Sequence, residues 1–308
     1  MRIINKILRI RDRVYVLLFK IYDKIFCSSF YIRYFDRKTS AKKSDRRISV
    51  AITSFHREEF IMKSLKNILR DDRVEEIVIL DDGSSKSSFE STKKILNNLS
   101  NKIKLYRREE NLGSLTTKIQ AISLCKNDWV IILDSDNTCS RTYVDTLNKI
   151  ANWDSDTVYA PSFAYPYFDY RVFSGVSFDF AKVRQYLTSH TRITMHLLNT
   201  GNFFVNRKKF VNLMEKYEFF HVSASDGIFF NYLWLSGGGK INVVPDCKYF
   251  HRVHRESTWT RTEEQSTPLV DFLKHKIVAG EKAEYDKLVE RMSPVDKETG
   301  EIFLHKTT

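Results

Sequence analysis

Two acidic residues separated by one serine directly follow an apolar run near the middle of the chain. Asp134 and Asp136 come after residues 129–133, which read Trp-Val-Ile-Ile-Leu. Carboxylates this close at the end of a buried strand repel each other and lose hydration. A divalent cation removes both penalties, because Mg²⁺ and Mn²⁺ prefer oxygen ligands. Since such a cation also neutralises nucleotide phosphates, the pattern predicts a nucleotide-using enzyme, with a solvated turn as the alternative.

Two other apolar runs end in polar residues. Asp81 and Asp82 follow residues 77–80, and Thr53 follows residues 48–52. In an open α/β sheet, ligands bind at the carboxyl ends of the strands. We therefore expect the three strand ends to lie at one edge of a sheet and to form one site.

The elements that must position these residues alternate along the chain. Strands are predicted at residues 48–54, 76–82, 102–106 and 128–133, with helices at 58–69, 88–99, from 114 onward and at 141–152. This alternation predicts an α/β fold with a mostly parallel central sheet flanked by helices. The chain has neither a Gly-x-Gly-x-x-Gly turn nor a Walker loop, which excludes the common dinucleotide and P-loop sites.

The second half of the chain has a looser pattern. We expect strands at 158–163 and 240–244, and helices at 206–217, 226–235, 269–278 and 283–292. Residues 165–180 are rich in aromatic side chains, which suit either a sugar ring or a small core under a loop.

The positive charge is concentrated at the N-terminus. The chain has 308 residues and a net charge of +12, and residues 1–47 hold 14 Lys and Arg against 4 Asp and Glu, or 14 − 4 = +10. Apolar residues recur there at helical spacing, but charges interrupt every run of 18, so a transmembrane helix is not expected. A basic amphipathic helix suits an anionic membrane surface. Packing on a partner and nucleic-acid binding are the alternatives.

The cysteines add one constraint. The chain has 4 cysteines and no Cys-x-x-Cys pair. We therefore predict neither a zinc site nor a disulfide framework, and expect a reducing compartment.

Taken in order, these segments resemble the family 2 glycosyltransferases, inverting enzymes with the GT-A fold. The resemblance rests on residues 48–57, Asp81-Asp82-Gly83-Ser84, Asn111-Leu112-Gly113 with Lys118 and Ala121, residues 133–137, Ser225-Asp226, and Arg252-Val253-His254. It covers about residues 48–260. It implies a GT-A domain at 48–260, and the charge and residue pattern outside it predicts a basic amphipathic arm and linker at 1–47 and a helical C-terminal tail at 261–308.

The resemblance also implies roles at the donor side. Thr53 and Asp82 would hold the nucleotide base and ribose, although Asp82 has the alternative of stabilising its own turn. Asp134 would contact the ribose or a metal-bound water, and Ser135 belongs to the same donor-binding set. Asp136 would bind the metal. Lys118 would approach the donor phosphates, with a solvated helix face as its alternative.

At the acceptor side, the resemblance implies that Asp226 is the general base. The family usually places Glu before this Asp, and here the residue is Ser225, so a helix N-cap is the alternative. His254 would bind the metal or the pyrophosphate, with His251 as its competitor. Trp259 is expected in the core, with a position lining the site as the alternative.

The resulting expectation is an inverting glycosyltransferase that uses Mn²⁺ or Mg²⁺ and a nucleotide-sugar, in particular a UDP-sugar. Its acceptor would be a glycan or a lipid-linked sugar in surface polysaccharide, lipopolysaccharide or capsule synthesis. The arm, over residues 1–40, would hold the protein peripherally on the inner face of the cytoplasmic membrane, with no nucleic-acid partner. The alternatives are a nucleotidyltransferase or sugar-nucleotide pyrophosphorylase, and a non-catalytic binding protein of GT-A type.

Overall fold

A computed structural model describes residues 46–217, 220, 222–255, 257–284 and 288 of the chain. In the N-terminal arm it describes Val14, Leu17, Leu18, Lys20, Ile21, Lys24 and Ile25, all of which are helical. The rest of the predicted arm, and most of the helix expected at residues 283–292, lie outside the described residues. No helix among the described residues is long and apolar enough to cross a membrane.

In the described part of the chain, ten strands form one mixed sheet, whose four longest pairings are parallel, as the sequence predicts, while its five short pairings are antiparallel. They are β1 (Ile48–Ser54), β2 (Val74–Asp81), β3 (Ile103–Arg107), β4 (Trp129–Asp134), β5 (Thr138–Cys139), β6 (Thr157–Tyr165), β7 (Phe168–Asp169), β8 (Ser177–Phe178), β9 (Phe204–Asn206) and β10 (Lys240–Phe250). The order across the sheet is β3-β2-β1-β4-β9-β6-β10-β5, with β7 paired to β6 and β8 to β10.

Helices cover this sheet. They are α1 (Glu58–Leu65), α2 (Lys86–Leu96), α3 (Ser114–Ser123), α4 (Tyr143–Asn148), α5 (Phe180–Ser189), α6 (Thr191–Leu198), α7 (Arg207–Met214), α8 (Asp226–Ser236) and α9 (Thr258–Ala279). Their apolar faces pack on the strands: Ile61 and Leu65 of α1 and Ile122 of α3 are fully buried.

The strand directions bring the predicted site residues to one edge. Strands β1, β2 and β4 are parallel, and Thr53 lies opposite both Leu80 and Asp134 in the register. Short β9 is antiparallel to both β4 and β6, and β10 is parallel to β6. As a result β6 and β10 also end at the edge that carries Asp134.

Several elements differ from the sequence-based expectation, and β5, β7, β8, β9, α5 and α6 were not predicted at all. The helix expected at 141–152 is only the short α4, and β10 continues to Phe250 across a register shift between Val244 and Lys248. The interruption at Pro245 breaks the apolar pattern, which concealed the second half of the strand. Helix α9 starts at Thr258 rather than near residue 269, and the expectation that Trp259 is in the core was wrong, because it is 37% exposed.

Candidate active site

The chain makes a tight turn around Gly83, just after the end of β2. This residue has a φ of +74°, and a Cβ placed on it would lie 2.5 Å from the carbonyl carbon of Glu110. Glycine is needed here on both counts. Beside it, Asp81 accepts hydrogen bonds from the backbone N–H and the hydroxyl of Ser84, at 2.9 and 2.6 Å.

Asp82 holds the loop that leads into α3. Its two carboxylate oxygens accept hydrogen bonds from the N–H groups of Leu112 and Gly113, each at 3.0 Å, and from Arg108 at 3.0 Å. Burial raises the pKa of this carboxyl above its usual range, and these donors oppose the shift. Asp82 thus stabilises a loop some thirty residues farther along the chain and not only its own turn. Its contact with a nucleotide base stays a prediction.

Thr53 and Ser135 join the two central strand ends. The Ser135 N–H donates to the carbonyl oxygen of Thr53 at 3.2 Å, and Ser135 is buried while Thr53 is partly exposed. This contact continues the β1–β4 pairing one step beyond Asp134. It places Thr53 directly beside the Asp-x-Asp motif.

Lys118 links the first aspartate of the motif to the predicted base. Its ammonium nitrogen lies 3.0 Å from Asp134 Oδ1 and 2.6 Å from Asp226 Oδ2. Burial lowers the pKa of Lys118, but the two carboxylates outweigh burial and raise the pKa above the usual lysine range. A permanently charged lysine therefore separates two carboxylates that would otherwise repel each other. The alternative of a solvated helix face was wrong, since Lys118 is 8% exposed.

A short loop after α6 shapes this cluster, and sequence reasoning missed it. Asn202 donates from Nδ2 to Asp134 Oδ2 at 2.8 Å, and its Oδ1 accepts from the Asp134 N–H at 2.9 Å. A Cβ placed on Gly201 would lie 2.7 Å from the Lys118 nitrogen. Gly201 thus provides the space that the lysine occupies. Neither residue belongs to a recognisable motif, so the sequence carried no signal for them.

Asp226 is the first residue of α8, and its cap comes from elsewhere. The N-cap position is Ser225, which makes no side-chain cap bond, while Asn199 Oδ1 accepts the N–H of Ile228 at 3.2 Å. A Cβ on Gly227 would lie 2.6 Å from the Asn199 carbonyl oxygen, so the loop and helix meet closely. The N-cap alternative for Asp226 was therefore wrong. Its carboxylate points instead to Lys118.

The C-terminal helix also holds this segment. Ser266 of α9 is fully buried, and its hydroxyl accepts the N–H of Ala224 at 3.1 Å. Its carbonyl oxygen accepts the hydroxyl of Ser225, also at 3.1 Å. Residues just before Asp226 are thus fastened to a helix that the sequence placed in a separate tail.

Asp136 faces a different set of partners. Its Oδ2 lies 3.1 Å from His254 Nε2 and 4.0 Å from Arg57 Nε. Burial alone would raise the pKa of Asp136, but the hydrogen bond with His254 and the charges of nearby His251, His254 and Arg57 lower it. The carboxylate is therefore held ionised. The His254 ring also stacks on Phe60, with ring centroids 4.7 Å apart.

His251 lies behind this pair. Its Nδ1 is 3.3 Å from the hydroxyl of Tyr249, and its ring packs edge-on against Phe168. Burial lowers the pKa of His251, and Asp136 opposes that shift. His254, rather than His251, thus makes the direct contact with the Asp-x-Asp motif.

Arg252, which the sequence analysis named only as part of the Arg252-Val253-His254 motif, connects that segment to residues 136–138. It is 5% exposed, its guanidinium donates to the hydroxyl of Thr138 at 2.8 Å and to the Asp136 carbonyl, and its N–H donates to Asn137 Oδ1 at 3.0 Å.

The donor set around Asp136 fits a shared metal site. Among the described residues, no group of three or more His, Cys, Asp or Glu side chains is arranged to hold a metal ion. Asp136 and His254 nevertheless offer one oxygen and one nitrogen side by side, and both side chains are partly exposed, at 17% and 19%. Mg²⁺ and Mn²⁺ commonly take one or two protein ligands and complete their shell with substrate phosphates and water. The residues present fit such an ion.

The family model of glycosyl transferase family 2 matches residues 49–214, more than half of the chain. This chain belongs to glycosyl transferase family 2. Its fold is of GT-A type, as the sequence resemblance implied. A relative in Mycoplasma genitalium, described as the uncharacterized glycosyltransferase MG060, is 32% identical over 111 residues. That match covers 34% of this chain and 37% of the relative's length.

Solved structures share the fold at low sequence identity. Residues 1–349 of S. aureus TarS, in complex with UDP-GlcNAc, superpose with a TM-score of 0.55 at 16% identity, over 76% of this chain and 71% of that 1–349 chain. The mannosyltransferase PcManGT of Pyrobaculum calidifontis, in complex with GDP-Man and Mn²⁺, gives a TM-score of 0.52 at 14% identity, over 89% of this chain and 76% of that one.

Proposed function

We propose that this family member transfers a sugar, with inversion, from a UDP-sugar to a hydroxyl of a glycan or lipid-linked acceptor. One observation carries the proposal: Lys118 connects Asp134, at the donor-side motif, to Asp226, at the start of α8. A donor anchor and a candidate base thus lie on either side of one buried cation. A nucleotide at Thr53 and Asp134 and a hydroxyl at Asp226 would meet between them.

In the proposed reaction Asp226 takes the proton from the acceptor hydroxyl. The acceptor oxygen attacks the anomeric carbon from the face opposite the diphosphate, and the bond from that carbon to the phosphate oxygen breaks. UDP leaves with the bonding electrons, and the proton stays on Asp226. Lys118 and the Asn199 loop hold the base in place for this transfer.

Asp136 and His254 would hold a divalent ion, Mn²⁺ or Mg²⁺, which neutralises charge on the leaving diphosphate. PcManGT is in complex with GDP-Man and Mn²⁺, and TarS is in complex with UDP-GlcNAc. These neighbours support a nucleotide-sugar donor, but their nucleotides differ, and we propose UDP as the nucleotide for this chain. The rival nucleotidyltransferase would need a glycine-rich phosphate loop after β1, where residues 53–57 contain no glycine.

Binding of UDP should raise the melting temperature in the presence of Mn²⁺ and much less in EDTA. A ligand bound only by the folded state at a hundredfold excess over its Kd stabilises by about 2.7 kcal/mol. Asp136→Ala should remove the Mn²⁺-dependent part, and Asp128→Ala should not, since Asp128 lies in an exposed pair with Lys208. Thermal shift assays measure this. Equal stabilisation by UDP with and without Mn²⁺ would contradict the metal bridge, and release of pyrophosphate in place of UDP would favour the rival.

We further propose that the N-terminal arm binds an anionic membrane surface on the cytoplasmic side. Its described apolar residues, Val14, Leu17, Leu18, Ile21 and Ile25, are 49% to 59% exposed and repeat at helical spacing. Basic residues surround them, as the charge of +10 over residues 1–47 records. Apolar burial and attraction to anionic lipid would then act together.

Replacing Leu17 and Ile21 by Glu in the full chain should weaken pelleting with phosphatidylglycerol vesicles by more than about tenfold, because each loses an apolar contact of about 1.5–3 kcal/mol. Binding of the unchanged chain should also fall with added salt, since screening acts beyond about 10 Å at 0.1 M. The matched control replaces Tyr106 and Leu124, exposed apolar residues of the catalytic domain, by Glu. Similar losses in both variants would argue against the arm as the anchor.

A further inference from the structure

A shallow cavity, open to solvent, lies at the same sheet edge as the carboxylates, farther along toward β10. It has a volume of about 410 Å³ and is lined by Tyr167, Asp169, residues 190–193 and His196. Tyr167 stands in the turn between β6 and β7, directly after the carboxyl end of β6. Strand β6 is two positions from β4 in the sheet, which corresponds to about 10 Å. The cavity therefore borders the end of a strand that lies about 10 Å from the strand carrying Asp134.

Packed side chains connect the cavity to the site. The Phe168 ring packs edge-to-face with both His196 and His251, with ring centroids 4.9 and 5.1 Å apart. Helix α6 starts at the cavity and runs into the loop of Gly201 and Asn202, which contacts the Lys118 cluster. One wall of the cavity is thus continuous with the elements that position the base.

The charges at the cavity do not cancel. Asp169 is neutralised by Arg171, whose Nε and Nη2 donate to its two carboxylate oxygens at 2.8 and 2.6 Å. The exposed side chain of Arg192, in contrast, makes no ion pair or hydrogen bond with any residue in the described part of the chain. Burial, together with the adjacent Arg192, lowers the pKa of His196, which therefore stays neutral near pH 7. Arg192 leaves the cavity with a net positive charge.

The remaining lining suits a sugar ring. Tyr167 is 37% exposed, and an exposed aromatic face packs well against the apolar face of a pyranose. The imidazole of neutral His196 can donate one hydrogen bond and accept another. A guanidinium binds carboxylate or phosphate through two parallel hydrogen bonds. Aromatic face, neutral imidazole and unpaired guanidinium together match a sugar that carries a negative group.

We propose that this cavity is a subsite for an anionic sugar residue of the acceptor, bearing a carboxylate or a phosphate, which Arg192 recognises while Tyr167 packs on the ring. The inference rests on the proposed transferase function, because it assigns the acceptor side of that site. It implies that the enzyme extends acidic or phosphorylated glycans in preference to neutral ones.

The test measures saturation-transfer NMR on the full chain without donor, using glucose, glucuronate and glucose 6-phosphate as probes. Glucuronate or glucose 6-phosphate should bind at least about tenfold more tightly than glucose, since a charge-assisted pair contributes this much. Which of the two anions binds more tightly separates the carboxylate from the phosphate source. Arg192→Gln should reduce anion binding to the level of glucose, and Lys93→Gln, which removes an exposed charge on α2, should leave it unchanged.

Stabilisation by UDP and Mn²⁺, measured on the same Arg192→Gln sample, should equal that of the unchanged chain. Equal stabilisation would show that Arg192→Gln is folded. The two measurements also separate the donor site from the sugar subsite. If the unchanged chain bound no UDP, the proposed donor site would be refuted, while its preference for anionic sugars could still be measured. Equal binding of glucose and the anions by the unchanged chain, or an anion preference retained in Arg192→Gln, would overturn the subsite.

Discussion

Asp226→Asn should lower sugar transfer by at least about a hundredfold, while UDP binding and the melting temperature change little. General-base catalysis contributes about 10²- to 10⁴-fold, and asparagine keeps the shape of aspartate but cannot take the proton. Asparagine can still accept a hydrogen bond from Lys118, so the first residue of α8 stays in place. Initial rates of UDP release with and without acceptor measure the effect.

Asp179→Asn provides the matched control for this variant. Asp179 is also found at a helix start, where its side chain accepts the Lys182 N–H at 2.8 Å, and it is not part of the Lys118 cluster. Its replacement should leave transfer within a few-fold of normal. Near-normal transfer by folded Asp226→Asn would exclude Asp226 as the base and leave it a purely structural partner of Lys118.

Lys118→Met should lower the free energy of unfolding by about 3 kcal/mol and abolish transfer. The substitution leaves Asp134 and Asp226 close together without their shared cation, and breaking a buried ion pair from one side is strongly destabilising. Urea denaturation measures the stability, with an unchanged m-value as the sign that only stability changed. Lys126→Met, which breaks an exposed pair with Glu75, should cost less than about 1 kcal/mol.

A second substitution distinguishes charge repulsion from lost packing. Asp226→Asn in the Lys118→Met background removes one of the two repelling carboxylates, so it should restore part of the lost stability. The same Asp226→Asn change in the unaltered chain should not stabilise it. If the two changes were simply additive, the linkage through Lys118 would be wrong, since groups in one ionic network show coupling energies of about 0.5–3 kcal/mol.

The strand ends were readable from the sequence for a local reason. Apolar runs such as residues 129–133 mark buried strands, and the direction of each strand determines which of its ends carries the polar residues. The fold class and the placement of Thr53, Asp82 and Asp134 at one sheet edge followed from that pattern alone. The family resemblance added Asp226 and His254, and the structure brings each of them to a member of the Asp-x-Asp motif or to its lysine partner.

Only the tertiary structure shows which distant residues these side chains contact. Lys118 joins Asp226 across 108 positions, Asn202 joins Asp134 across 68, and Ser266 fastens the segment before Asp226 from a helix expected in a separate tail. No repeating sequence pattern marks such pairings, because they depend on how distant elements pack and on the space that Gly201 leaves for Lys118. Sequence by itself determined which groups reach the sheet edge. Packing decided that a buried lysine links the donor motif to the base.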